Sequence, residues 1–411
     1  MRELMNPQYR DLQGGLFVEV TKADVGDAAA AIVAAGGAQM AWADPFLPDA
    51  SMPASVTKAM QDALATGTIS HYEPPVGNMA LRRVVAEKIK KYNGIDADPA
   101  RNIIITPGSD SGLMFAMLPF LERGDEVLVP DPSYPSLQNN CRLLGTTPVP
   151  IPLRAEHGYQ LRLEDLEAAV TPRTKMVLMA HPNNPTATVF RRENLEDLAR
   201  FCVKHDLVLV SDQAFEDHIY DGIEFVTPAA LPGMWERTVT TFSLSKGLGL
   251  SGLRVGYLLA DERIMDKFYA TAVSIVGTTN TLAQIGAITA LEDPTILPAY
   301  TKKLEARRHV LHNLVKDIPG VNMQLPESGC LAWLDVNELG TEAEVARYLA
   351  DEAKVLVNEG IYYGDEGKGH IRIVYGVLGD DQKAADAYHR IADALRKLSA
   401  KVLGEPSLAG N

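Results

Sequence analysis

Between Asn102 and Ala260 the chain alternates short β-rich runs with helix-patterned stretches, and that alternation leaves few folds open. Seven runs stand out: N-I-I-I-T from 102, E-V-L-V-P from 126, P-V-P-I-P from 148, K-M-V-L-M-A from 175, L-V-L-V-S from 207, T-V-T-T-F from 238 and R-V-G-Y-L-L-A from 254. Such runs suit strands buried on both faces, so the pattern predicts an α/β fold with a mostly parallel sheet between helices. The stretch Arg191 to His205, apolar at Leu195, Leu198, Ala199 and Cys202, reads as one covering helix. Near Pro294 the pattern changes to a long helical stretch, Ala299 to Val315, then E-S-G-C-L-A-W-L-D-V and a C-terminal helix from Asp380 to Leu403. This predicts a large domain over 46–293 and a second, smaller α/β domain over 294–411.

A chain of 411 residues, 46% hydrophobic and 22% charged, is long enough for a large core and ordinary for a soluble globular enzyme. Its net charge of -14 argues against binding nucleic acid or an anionic membrane surface. Cys141, Cys202 and Cys330 are odd in number and widely spaced, so neither a disulfide framework nor a zinc site is expected, and no metal is assigned. The cytoplasm is the expected compartment. The N-terminal M-R-E-L-M-N-P-Q-Y-R-D-L lacks a signal-peptide apolar run, and the longest apolar stretch, Gly112 to Leu121, is too short to span a bilayer. That stretch reads as a buried helix, and the final E-P-S-L-A-G-N as a frayed tail.

The chemistry concentrates in S-L-S-K-G-L-G-L-S-G-L-R, residues 243 to 254. Lys246 follows an apolar strand, where partial desolvation favours a neutral amine able to attack a carbonyl. Ser243, Ser245 and Arg254 offer hydroxyl and guanidinium donors to a phosphate dianion. Gly247, Gly249 and Gly252 also satisfy G-x-G-x-x-G, but a dinucleotide site needs a helix directly afterwards, whereas R-V-G-Y-L-L-A is a strand. The glycines are expected to let the backbone turn tightly.

This segment resembles the lysine region of fold-type I pyridoxal-phosphate enzymes, the class I/II aminotransferases. Further matching motifs follow in the family's order, from about Tyr72 to Arg372. The resemblance implies an aspartate-aminotransferase-like fold with a seven-stranded sheet, in which residues 1–45 pack back onto the small domain. It makes Lys246 the Schiff-base lysine of pyridoxal 5'-phosphate. Asp212, ending L-V-L-V-S, would pair with the ring nitrogen, because a nearby carboxylate keeps that nitrogen protonated. Asn184, in H-P-N-N-P-T, would bond the cofactor's 3'-oxygen and help hold the substrate carboxylate; His181 and Ala187 depart from the family's asparagine and glycine. T-P-G-S-D-S-G-L from 106 would bring the amides of Ser109 and Asp110 to the phosphate at a helix N-terminus. Asp110 replaces the family's usual neutral residue, and its carboxylate is expected to turn aside and cap the helix. Tyr134 of D-P-S-Y-P would stack on the ring. Tyr72, in H-Y-E-P-P-V-G-N-M-A-L-R-R, would reach the phosphate of a neighbouring subunit, which implies a homodimer with shared sites. Arg372 of G-H-I-R-I-V-Y-G would grip the substrate α-carboxylate bidentately.

The resemblance thus implies an aminotransferase moving an amino group between an amino acid and a 2-oxo acid. A lyase, decarboxylase or oxidase on the same scaffold is the alternative, and a silent binding protein a third reading that the presence of Lys246 disfavours. Side-chain specificity would come from Ala41 to Pro45, Ile361 to Gly364 and a second subunit's Gly277 to Asn280. A-W-A-D-P supplies no arginine for a second carboxylate, and Trp42 and Tyr362 point to an apolar or aromatic substrate. Phe215 stands where the family has a tyrosine that bonds the 3'-oxygen, so that donor is missing. Restoring it by Phe215→Tyr is expected to lower the pH at which the bound cofactor's absorbance changes. An unchanged spectrophotometric pH titration would reject this role for Phe215.

Overall fold

The computed structural model describes residues 6–10 and 32–404. Most of the N-terminal segment expected to fold back, and the tail 405–411, lie outside the described residues. All seven β-rich runs form one sheet: β2 (Ile103–Thr106), β3 (Glu126–Asp131), β4 (Thr147–Pro152), β5 (Thr174–Ala180), β6 (Val208–Asp212), β7 (Thr238–Ser243) and β8 (Gly256–Ala260). They follow β1, the short strand Ala38–Gln39, and are ordered β2-β8-β7-β6-β5-β3-β4. β3 to β7 pair in parallel, whereas β8 runs antiparallel to both β7 and β2. Six strands therefore point one way and β8 the other.

The edge position of β4 follows from its composition. Pro148, Pro150 and Pro152 recur at every second residue and have no N–H to donate, so a second partner strand is excluded. β2, β3, β7 and β8 are buried along their whole length. Helices cover them: Arg192–Lys204 buries Leu195, Leu198, Ala199 and Cys202, the face that its spacing predicts. The apolar stretch expected to be a buried helix folds as Ser109–Met117 and ends there, leaving Leu118 partly exposed. Among the described residues no helix is long and apolar enough to cross a membrane.

A second sheet has the order β12-β13-β10-β9, formed by β9 (Asn322–Met323), β10 (Leu331–Asp335), β12 (Asn358–Glu359) and β13 (His370–Val374), all antiparallel. It shares a core with the helices Ile296–Val315 and Asp381–Leu403, through residues such as Leu311, Ile373, Ile391 and Leu395. β1 pairs in parallel with β11 (Val355–Leu356), and the chain then continues across to the large sheet. Leu198 is wholly buried under the large sheet, so Leu198→Ala is expected to cost about 2–5 kcal/mol of stability. Val203→Ala, at a half-exposed position on the same helix, should change it by less than about 0.5 kcal/mol, as thermal unfolding would show.

Candidate active site

Because β2, β3, β5, β6 and β7 share a direction, the residues that follow their carboxyl ends emerge at one edge of the sheet, where open α/β sheets place ligands. Those residues are Ser109, Tyr134, Asn184, Asp212 and the turn Leu244–Gly247. The reversed strand β8 contributes its beginning instead. Gly256 lies opposite both Thr106 and Ser243 in the two registers, so Arg254, two residues earlier, emerges between them. A cavity of about 370 Å³ opens here, a size suited to a small ligand.

Lys246 sits in a four-residue helical turn started by Ser243, whose Oγ accepts the Ser245 N–H at 3.1 Å. Its ammonium donates to the Ala43 carbonyl. Burial lowers the Lys246 pKa, with Cys330, Asp44 and Asp110 opposing, so the neutral amine is more accessible than in water. Asp212 is 5% exposed and accepts from the Ala214 N–H at 3.1 Å and the Thr241 hydroxyl at 3.3 Å. Burial, then repulsion from Asp110, raises its pKa to about 7. This buried carboxylate lacks a cation within hydrogen-bonding distance among the described residues, an arrangement that a pyridinium N–H would complete.

Arg254 adopts a left-handed backbone (φ 53°) and its Nη1 donates to the Ser251 carbonyl at 2.9 Å. The guanidinium lies against the start of the Ser109–Met117 helix so closely that a Cβ on Gly108 would come within 2.5 Å of Nη2. Arg254, the hydroxyls of Ser109, Ser243 and Ser245 and the helix N-terminus form one donor set, and these residues fit a phosphate. Gly249 turns with φ 64°, and Gly247 has no room for a side chain, while Gly252 has neither constraint.

Asp110 does not cap the helix. The N-cap position belongs to Gly108, and Asp110, inside the first turn, instead accepts the Tyr134 hydroxyl at 3.1 Å and stands 3.8 Å from Arg254. A cap must precede the first helical residue, which Asp110 does not.

Arg372, on β13 opposite Trp333 and Asn358, reaches the same cavity from the second sheet. It donates to Asn184 Oδ1 at 3.1 Å and to the Ala41 carbonyl at 2.6 Å, and its guanidinium lies 5.0 Å from the centre of the Tyr363 ring. Phe215 and Trp42 also line the cavity. Of the expected residues, Tyr362 is elsewhere, while Tyr72, expected at a neighbouring subunit's site, faces outward from this one. Tyr72 is 94% exposed, and Tyr362 lines a separate cavity of about 380 Å³ beside Asp131 and Arg142. The neighbouring Tyr363 takes the position beneath Arg372.

The loop of Asn184 tolerates its two departures in different ways. His181 is buried between Phe190 and Phe225, stacked at 5.4 and 4.7 Å, and burial lowers its pKa to about 3. Ala187 keeps the left-handed conformation natural to glycine (φ 58°), at a cost of about 1–2 kcal/mol. Sequence reasoning missed Thr241 and, within the expected 41–45 segment, the contact made by Asp44. Thr241 is visible only once β6 and β7 are in register, which sets it beside Asp212. Asp44 accepts the Ser251 hydroxyl, across 207 residues of chain.

The raised Asp212 pKa makes stability pH-dependent in cofactor-free protein. The folded form holds this proton more tightly than the unfolded chain, so the contribution is complete below about pH 4 and lost as pH rises through about 7. Asp212→Asn should flatten the fall in melting temperature through neutrality. A shallower fall should remain, because burial raises Asp131 to about 6.

Comparison with known proteins agrees with this geometry. The family model for aminotransferase class I and II matches residues 44–391. An aromatic-amino-acid aminotransferase from Thermococcus litoralis is 33% identical over 88% of this chain and 91% of its own length. An aspartate aminotransferase from Pyrococcus abyssi is 32% identical over the same shares. The structure of the Thermus thermophilus aspartate aminotransferase with maleate superposes with a TM-score of 0.83 at 27% identity, covering 95% of this chain and 99% of that one. The family-model match over residues 44–391 and a relative 33% identical over 88% of the chain make it a member of the class I and II aminotransferase family, the pyridoxal-phosphate-dependent aminotransferases.

Proposed function

We propose that Lys246 would hold pyridoxal 5'-phosphate covalently through its amine, with loss of water, and that, once displaced by the substrate amine, the freed Lys246 amine would carry a proton to and from the substrate Cα as general base and acid. Bound there, the cofactor supplies an electron sink for negative charge at that carbon. Asp212 holds the ring-nitrogen proton, and Tyr134 provides a flat face beside the ring. Arg254, Ser243, Ser245, Ser109 and the amide of Asp110 hold the phosphate. Arg372 and Asn184 orient the substrate α-carboxylate, while Phe215 faces the ring without offering a donor. The observation that carries the reading is the convergence of Lys246, Asp212, Arg254 and Arg372 on one cavity, with burial favouring the neutral lysine.

The preferred amino donor is apolar or aromatic. Among the described residues the lining cations are Lys246, Arg254 and Arg372, and each has a task, so none is left for a second substrate carboxylate. Trp42 provides the apolar wall; with Tyr362 in another cavity, it stands without its expected companion. The exposure of Tyr72 supports its donation to a neighbouring subunit in a homodimer. The domain division at 46–293 and 294–411 accords with the two sheets; of residues 1–45, the described strand Ala38–Gln39 pairs with β11 of the smaller domain, whereas Gln8 accepts from Arg123 of the large one. Three buried free thiols accord with a reducing cytoplasm.

The test is amino-group transfer from a panel of amino acids to 2-oxo acids, with borohydride trapping and peptide mapping. Transfer with an adduct on Lys246 is expected, and Lys246→Ala should lower the rate by about 10⁴-fold or more. Ammonia or carbon dioxide released without an acceptor would select the lyase, decarboxylase or oxidase alternative.

A further inference from the structure

The chain that leaves Asp212 does not depart from the site. It runs on beneath the lysine turn, and Glu216, Asp217 and His218 are almost completely withdrawn from solvent. Asp217 packs against Gly247, where a Cβ would lie 2.0 Å from its Oδ2. Its other oxygen accepts from Lys88 at 2.9 Å, on the helix Met79–Tyr92. Lys88 also pairs with Glu216, which is held by the Asn93 amide at 2.6 Å. Burial opposes the Lys88 charge, but Asp217 and Glu216 outweigh it and raise its pKa, so Lys88 stays charged, while burial raises the pKa of Glu216.

His218 holds the other side of the turn. Nδ1 lies 2.8 Å from the Thr301 hydroxyl on the helix Ile296–Val315, and the ring approaches the backbone carbonyls of Lys246 and Gly247, although Nε2 has no aligned partner. Burial keeps the imidazole neutral, which leaves it one N–H. The Thr301 hydroxyl also reaches the Leu297 carbonyl at 2.9 Å and has one proton for two acceptors; given to Nδ1, it sets the imidazole proton on Nε2, facing the lysine turn.

We propose that Asp217 and His218 are positioning residues for Lys246, clamping its backbone from beneath so that its amine keeps one reach from cofactor to substrate. Lys88 holds Asp217 in place, and Gly247 admits the carboxylate. A charged helix and the strand of Asp212 are thereby tied to a turn that has only four helical residues to stiffen it. The proposal rests on the assignment of Lys246 as the covalent lysine.

The experiment compares the wild type with His218→Leu, His218→Gln and Asp217→Asn, each stripped of cofactor and then mixed with pyridoxal 5'-phosphate. Three readouts are taken: the rate of borohydride-trapped labelling at Lys246, the isotope effect with a Cα-deuterated amino donor, and melting temperature. Labelling by His218→Leu and kcat are expected to fall about 10- to 100-fold, with KM within about threefold and a larger isotope effect. His218→Gln, which keeps an N–H, should recover most of the loss, whereas a purely structural role would move melting temperature alone. Wild-type labelling and isotope effects in both His218→Leu and Asp217→Asn would overturn the proposal while leaving Lys246 assigned. An unlabelled Lys246 in the wild type would overturn that assignment and the proposal with it. If His218→Leu fails to fold, Asp217→Asn decides alone, because it preserves shape while removing charge.

Discussion

Six strands of the large sheet run one way and β8 runs against them, and this arrangement governs what the molecule can do. A sheet covered on both faces has few places for a charged group except the edge where its strands end. Reversing one strand adds a second kind of opening at that edge, through which the start of β8 delivers Arg254 between the ends of β2 and β7. A lysine after one strand, an aspartate at the end of another and an arginine before a third thus become neighbours with little loop between them. Rigidity comes from the strands, and the chemistry only has to be placed at their tips.

Charge balance then sets the character of the cavity. Lys246, Arg254 and Arg372 face Asp44, Asp110 and Asp212. Arg254 and Asp110 stay half-exposed, but burial pushes Asp212 toward holding a proton and Lys246 toward losing one. Both shifts prepare the site for a ligand carrying a ring nitrogen, a phosphate and an aldehyde. Asp110 is the exception, because its carboxylate stands beside the cation that fits a phosphate and is held there by Tyr134.

What the sequence disclosed was local. The seven strands, the covering helices and the groups at strand ends follow from periodicity and from short motifs, each confined to a dozen residues. Features that depend on two distant segments meeting were out of reach. Thr241 beside Asp212 needs the strand register, the edge position of β4 needs the strand order, and Asp44 needs the fold of a segment 207 residues from Ser251. Tyr362 and Tyr363 show the limit most plainly. Both occupy one short helical turn, and its direction, invisible in the sequence, sends Tyr363 under Arg372 and Tyr362 to another hollow. Asp217 and His218 lacked a motif altogether, since their importance lies in what they touch.

The segment after β1 gives the Ala41 carbonyl to Arg372 and the Ala43 carbonyl to Lys246. A ligand carboxylate and an aldehyde would compete for those same two cations. A ligand held by both cations would leave the Ala43 oxygen without its partner, whereas Ala41 keeps the Asn358 amide at 3.0 Å. That segment continues directly into β1 and its pairing with β11, so one short stretch of main chain joins the cavity to the smaller domain.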